Sequence, residues 1–99
     1  MRVALLDSGV DASHPDIRKA LNDKRIRDAR GFPASLDPRG DRNGHGTHGA
    51  SVFMRTAPHA VLYIARISDD DGNIRDEKLE YSPMIEVLSF HICELSTNL

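Results

Sequence analysis

Two short stretches of the sequence hold residues of the types that move protons. Asp7 ends the apolar run Val3-Ala4-Leu5-Leu6 and is followed by Ser8-Gly9-Val10, then by His14-Pro15-Asp16-Ile17. His45 stands in Asp41-Arg42-Asn43-Gly44-His45-Gly46-Thr47-His48-Gly49-Ala50-Ser51, with a glycine on each side. A carboxylate at the C-terminal end of a buried parallel strand occupies the place where α/β proteins set reactive groups. A base that takes a proton from a hydroxyl has to be a neutral imidazole, and flanking glycines let a substrate or another backbone approach the ring. Taken singly, each stretch also has a plainer reading. Asp7 is a turn former or helix cap, and the second stretch is a Gly-rich helix entry with two incidental histidines.

A metal reading competes for the same residues. His45 and His48, at i and i+3 with Asp41 or Asp7 nearby, can face one ion. The glutamate of a His-Glu-x-x-His helix is missing and the spacing differs, so no metal ligands are assigned.

The elements that must carry these residues follow from local pattern. Val3 to Leu6 suits a short strand buried on both faces, as in a parallel sheet. Pro15 restricts His14 to extended conformations, so Val10 to Ile17 reads as ordered loop. Ile17 to Ile26 reads either as a short helix or as an irregular polar segment. Gly31 to Gly44, rich in Gly, Pro, Asp and Asn, is loop by composition. A helix is expected from His45 to about Thr56, where Pro58 stops it. Val61-Leu62-Tyr63-Ile64-Ala65-Arg66-Ile67 is the clearest strand, β-branched and almost wholly apolar, and Asp69 to Asn73 makes a turn. Strand, helix and strand in succession imply a parallel crossover and an α/β class. Beyond that, Ile74 to Leu79 starts like a helix that Pro83 breaks, Ile85 to Phe90 suits a further strand, and the polar end shows no recognisable element.

Composition narrows the function classes. Hydrophobic content of 39% and charged content of 28% over 99 residues are values for a folded chain, and without tryptophan its core rests on Val, Leu, Ile and Ala. A formal charge of -2 gives no electrostatic reason to expect nucleic acid as a partner. The basic residues from Arg18 to Arg30 are interleaved with Asp23 and Asp28, which reads as a solvated face ahead of a polyanion contact. One cysteine, Cys93, excludes an internal disulfide framework. No apolar run approaches the roughly 18 residues of a membrane-spanning helix, and the start lacks a signal peptide's apolar region. The location therefore stays open, with an intracellular one favoured.

The two stretches together resemble the subtilisin-like serine proteases, the subtilases. That family pairs an apolar strand ending in Asp-Ser/Thr-Gly, often followed by His-Pro-Asp-Leu, with a later Asn-x-His-Gly-Thr-His-Val-Ala-Gly. Its triad runs in the order Asp, His, Ser on a parallel α/β sheet. The resemblance covers residues 3 to about 67. Leu62-Tyr63-Ile64-Ala65-Arg66 also resembles a fungal subgroup of intracellular subtilase-like domains. By position, the resemblance implies that Asp7 and His45 are catalytic, with Asp7 orienting His45, the general base toward a serine and then the acid toward the leaving amine. It makes His48 a structural second histidine and Thr47 a brace of the helix start.

The sequence departs from the family pattern in two places. Gly49-Ala50-Ser51 replaces Val-Ala-Gly, which keeps the side chains small enough for close packing. More seriously, no Gly-Thr-Ser-x-Ala/Pro occurs, so no serine of the chain is assigned as nucleophile. Ser8 and Ser51 adjoin the motif residues, but neighbours in sequence are not thereby positioned for attack. The expectation is a partial, truncated subtilisin-like α/β fold: residues 1–99 as the N-terminal fragment of one catalytic domain, with 80–99 unplaced. It implies a serine-type endopeptidase by family, inactive as this fragment, with a polypeptide substrate and the remainder of the catalytic domain as partners. No cofactor is expected; calcium is common in the family's complete domain, but no ligand set for it is identifiable. The alternative is a non-catalytic interaction module, or pseudoenzyme, that retains a subtilase half-fold.

Overall fold

The computed structural model describes residues 2–74, 86–91 and 94–97. Seven elements follow one another: β1 (Arg2–Asp7), α1 (Pro15–Asn22), β2 (Ile26–Gly31), α2 (His45–Thr56), β3 (Val61–Arg66), β4 (Glu86–His91) and β5 (Glu94–Thr97). The strands form one sheet in the order β2-β3-β1-β4-β5. All pairings are parallel except that of β4 with β5, which is antiparallel. The α/β class expected from the sequence is therefore the observed one.

β1 lies between β3 and β4, in register from Arg2 opposite Val61 to Asp7 opposite Arg66. That central place fits the unbroken apolar run Val3, Ala4 and Leu5, all buried: a strand paired on both edges within a parallel sheet has no polar side. Val3, Leu5, Leu62 and Ile64 join Ile17 and Ala20 of α1 and Ala50, Phe53 and Met54 of α2 in a single core cluster. The two helices pack on each other and, respectively, on β2 and β1. A sheet-and-helix layer of this kind is held together mainly by the apolar area it removes from water.

α1 starts at Pro15, two residues ahead of the expected start, because proline at the first helical position loses no hydrogen bond. His14 is extended, as the following proline demands, and its Nδ1 caps the helix by accepting from the Asp16 amide at 3.2 Å. β2 corrects the sequence reading, which placed Ile26 in a helix or irregular segment and Gly31 in a loop. Its polar sequence, Ile26-Arg27-Asp28-Ala29-Arg30-Gly31, belongs to an edge strand with an irregularity between Ile26 and Asp28, so neither alternation nor an apolar run marks it. β4 matches the strand expected near Ile85 to Phe90, and β5 has no counterpart in the expectations. The helix start read into Ile74 to Leu79 lies, past Ile74, outside the described residues.

Two arginines tie loops into this frame. Arg25 donates to the carbonyl oxygens of Ala57 at 2.7 Å, Met54 at 3.2 Å and Ala60 at 3.3 Å, gathering the end of α2 and the turn that leads to β3. Arg66, buried at the end of β3, donates to the carbonyls of Ser68, Asp37 and Gly40 and to the Asp70 carboxylate. It thereby holds the loop that leads into Asp41 against the end of the sheet. The helices are joined by Asp16, whose Oδ2 accepts from Ser51 Oγ at 2.5 Å and Arg55 at 2.7 Å.

Two outcomes are expected from these contacts. Arg25→Met keeps the stem but removes three charge-assisted bonds, and should lower the unfolding free energy by about 2–3 kcal/mol in urea denaturation. The Ser51 hydroxyl, and then Arg55, hold the Asp16 carboxyl below its ordinary 3.8, so the folded chain binds that proton less readily than the unfolded one. The stability it contributes is present above 3.8 and lost as pH falls below it. Thermal melts taken from about pH 5 down to about pH 3 should therefore fall less steeply in Asp16→Asn than in the unchanged chain.

Candidate active site

The end of β1 and the start of α2 meet, and they bring together the two residues singled out from the sequence. His45, the first residue of α2, points Nδ1 at the Asp7 carboxylate, 2.9 Å from Oδ2 and 3.1 Å from Oδ1. Asp7 is only 6% exposed, whereas the His45 side chain keeps 29% of its surface open. With the Nδ1 proton held toward the carboxylate, the basic lone pair of a neutral ring is on Nε2. Burial pushes the Asp7 carboxyl up from 3.8; the Ser8 amide, 2.7 Å from Oδ1, and His45 oppose that rise, and the charge of Asp41 adds to it. Such a pair is an oriented base, able to accept a proton at one nitrogen while the other is fixed.

Close approach of the two elements depends on Gly46. A Cβ at this position would overlap the carbonyl oxygen of Gly9, in the turn that leaves β1, so any side chain would push α2 off the strand end. The glycine after His45 thus matters for the meeting of helix and strand.

A second set of bonds runs alongside. The buried Asp41 accepts through Oδ1 from Ser8 Oγ and the Gly44 amide, both at 2.8 Å. Through Oδ2 it accepts from the Thr47 amide at 2.9 Å and Thr47 Oγ1 at 2.6 Å. Ser8 Oγ accepts from the Gly46 amide at 2.9 Å, and Thr47 Oγ1 accepts from the Asp11 amide at 2.8 Å. Thr47 therefore braces the helix start, linking it to Asp41 and to the loop after β1. Sequence reasoning gave Asp41 only a passing role as a metal ligand. The signal that could have found it was its place three residues before a glycine that offers no side-chain cap.

His48 is not brought to the pair. It is exposed one turn along α2 and borders a different cleft with Asp11, His14, Ser51 and Arg55. His45 and His48 thus do not converge on one ion, and among the described residues no group of three His, Cys, Asp or Glu side chains gathers as a metal site. Ser8 Oγ is taken up by Asp41 and Gly46, and Ser51 Oγ by Asp16, so neither serine faces His45 as a nucleophile must. A shallow cleft beside His45 is bordered by Asn43, Ser68, Asp71 and Gly72.

Comparison with known proteins bears on this geometry directly. The family model described as the subtilase family matches residues 1–86. The chain belongs to the subtilase family. Subtilisin E of Bacillus subtilis (strain 168) is 32% identical over 83 residues, 74% of this chain and 20% of that protein. The thermostable alkaline protease of Halalkalibacterium halodurans is 37% identical over 81 residues, covering 73% and 20%. The major intracellular serine protease of Bacillus subtilis (strain 168) is 35% identical over 77 residues, covering 68% and 24%. The chain thus spans about a fifth to a quarter of the length of these relatives. The subtilase match runs past the expected limit near Ile67 as far as Glu86, the first residue of β4. Among the described residues no helix of this subtilase chain is long and apolar enough to cross a membrane.

Gly46→Ala tests the contact that brings the site together. The added methyl meets backbone on the opposite side, and is expected to cost about 1–3 kcal/mol in denaturant unfolding. A variant as stable as the unchanged chain would show that helix and strand do not approach as described.

Proposed function

We propose that this chain carries the Asp–His half of a serine-type endopeptidase site, acting on polypeptides. The observation that carries the reading is the 2.9 Å contact between His45 Nδ1 and a buried Asp7 carboxylate, placed by two motifs of one family. In this reading Asp7 and His45 are catalytic, while Thr47 and His48 are structural neighbours. Asp7 holds the imidazole in the tautomer with its proton on Nδ1 and supports the imidazolium that forms. His45 takes the proton of a serine hydroxyl as that oxygen attacks the scissile carbonyl. It then gives the proton to the leaving amine.

The nucleophile is not one of the serines in this sequence, none of which stands in a Gly-Thr-Ser setting. The 99 residues alone are therefore inactive, and their partner in catalysis is the serine-bearing remainder of a subtilase domain. The triad chemistry needs no cofactor. The word "intracellular" in the name of the Bacillus subtilis relative supports an intracellular setting for this chain as well.

Two measurements bear on the reading. The 99-residue chain is expected to show no labelling by a fluorophosphonate probe, and stoichiometric labelling would mean that one of its own serines is the nucleophile. Joined to the C-terminal part of Subtilisin E, the chain is expected to hydrolyse a peptide substrate. In that chimera Asp7→Asn is expected to lower kcat by about 10⁴-fold. Hydrolysis that survives Asp7→Asn and His45→Ala at full rate would sink the catalytic assignment, and a folded chimera without activity would favour a non-catalytic interaction module.

A further inference from the structure

We propose that Asp41 is the positioning residue of this site, setting through Ser8 the distance and angle at which Asp7 and His45 meet. The inference takes its catalytic meaning from the endopeptidase reading, but its physical content concerns only this chain.

Asp7 and His45 belong to different elements, and one imidazole–carboxylate contact leaves the ring free to tilt and the helix free to slide. Asp41 removes those freedoms. Its partners are Ser8, the residue after Asp7; Gly44, the residue before His45; and Thr47, two residues beyond it. Ser8 Oγ completes the bracket by accepting from Gly46, the residue after His45. Ser8, Gly44 and Gly46, three of the pair's neighbours along the chain, are thus tied to one buried carboxylate or to the hydroxyl that donates to it.

Capping α2 alone does not require this arrangement. A Ser, Thr or Asn in place of Gly44 would satisfy the first amides at the surface. Instead Gly44 adopts the left-handed conformation, at φ 89°, and provides no side-chain cap. The capping role falls to a carboxylate three residues earlier, 8% exposed, that also reaches across to Ser8, the residue after β1. Burying that charge is costly, and four donors together with the positive end of the helix dipole offset the cost. Its charge also opposes ionisation of Asp7. What the buried carboxylate adds to a cap is the simultaneous grip on Ser8 and on the helix amides.

The hydroxyl of Ser8 allows the two roles to be separated. Ser8→Ala cuts the bridge to the strand yet leaves every bond between Asp41 and the helix in place, so the variant is expected to fold. Asp41→Asn weakens both, and Ser51→Ala serves as control, since it removes a comparable serine-to-aspartate bond from the same helix outside the site. The readout is the His45 Nδ1 proton in ¹H–¹⁵N spectra of the 99-residue chain, followed by its exchange with water and by the tautomer ratio of the ring. Ser8→Ala and Asp41→Asn are expected to speed that exchange by about tenfold or more and to mix the tautomers, while Ser51→Ala changes neither. Should Asp41→Asn fail to fold, Ser8→Ala decides alone. The proposal is overturned if Ser8→Ala keeps the exchange rate and tautomer of the unchanged chain, or if Ser51→Ala disturbs them as much. Failure here would leave the chimera's peptide hydrolysis untouched, and failure of the chimera would leave these spectra untouched.

Discussion

A carboxylate held out of water at the end of a central strand is the demand around which this molecule is arranged. Asp7 sits where β1 emerges from between β3 and β4, and among the described residues the Ser8 amide and the His45 ring compensate its burial directly. Desolvation alone would drive such a group toward its neutral form. The helix start therefore has to arrive beside it at hydrogen-bond distance, and remain there. Gly46 allows the arrival, and the Asp41 bracket governs the remaining.

The scaffold beyond the pair serves the same end. Arg66, opposite Asp7 in the parallel register, gathers the carbonyls of the 37–40 loop and so delivers Asp41 to the helix start. Val10 donates to the Pro38 carbonyl, which fixes the outgoing chain after Asp7 to that same loop. A side chain that looks purely structural at the end of β3 is in this way linked, through the 37–40 loop and Asp41, to the residues that flank the Asp7–His45 pair. The core beneath, with Leu5, Leu62 and Ile64 against Ala50 and Phe53, sets the plane in which all of this happens.

What could be read in advance divides along physical lines. Asp7, His45, α2 and β3 were legible because motif and periodicity coincide there: an unbroken apolar run means a strand with neighbours on both edges, and glycines around a histidine mean close approach. β2 was not legible, since an edge strand bearing Arg27, Asp28 and Arg30 has one polar margin and an irregular register. Asp41 was underrated for another reason. Its role comes from reaching Ser8, far away in the chain, and no local pattern encodes such a reach. His48 shows the converse, a motif residue that the fold leaves exposed on a separate cleft.

The three carbonyls gathered by Arg25 have a consequence for how the site comes into being. That guanidinium belongs to the turn entering β2, while the anion at the other end of α2 belongs to the loop leaving it. The helix is thus bounded at both ends by ionic groups from outside its own sequence, and a twelve-residue segment of this kind has little helicity when isolated. Its order is borrowed from the sheet edge. The histidine's geometry therefore depends on contacts made by the segments on either side of β2, so a change at that edge of the sheet is felt at the base.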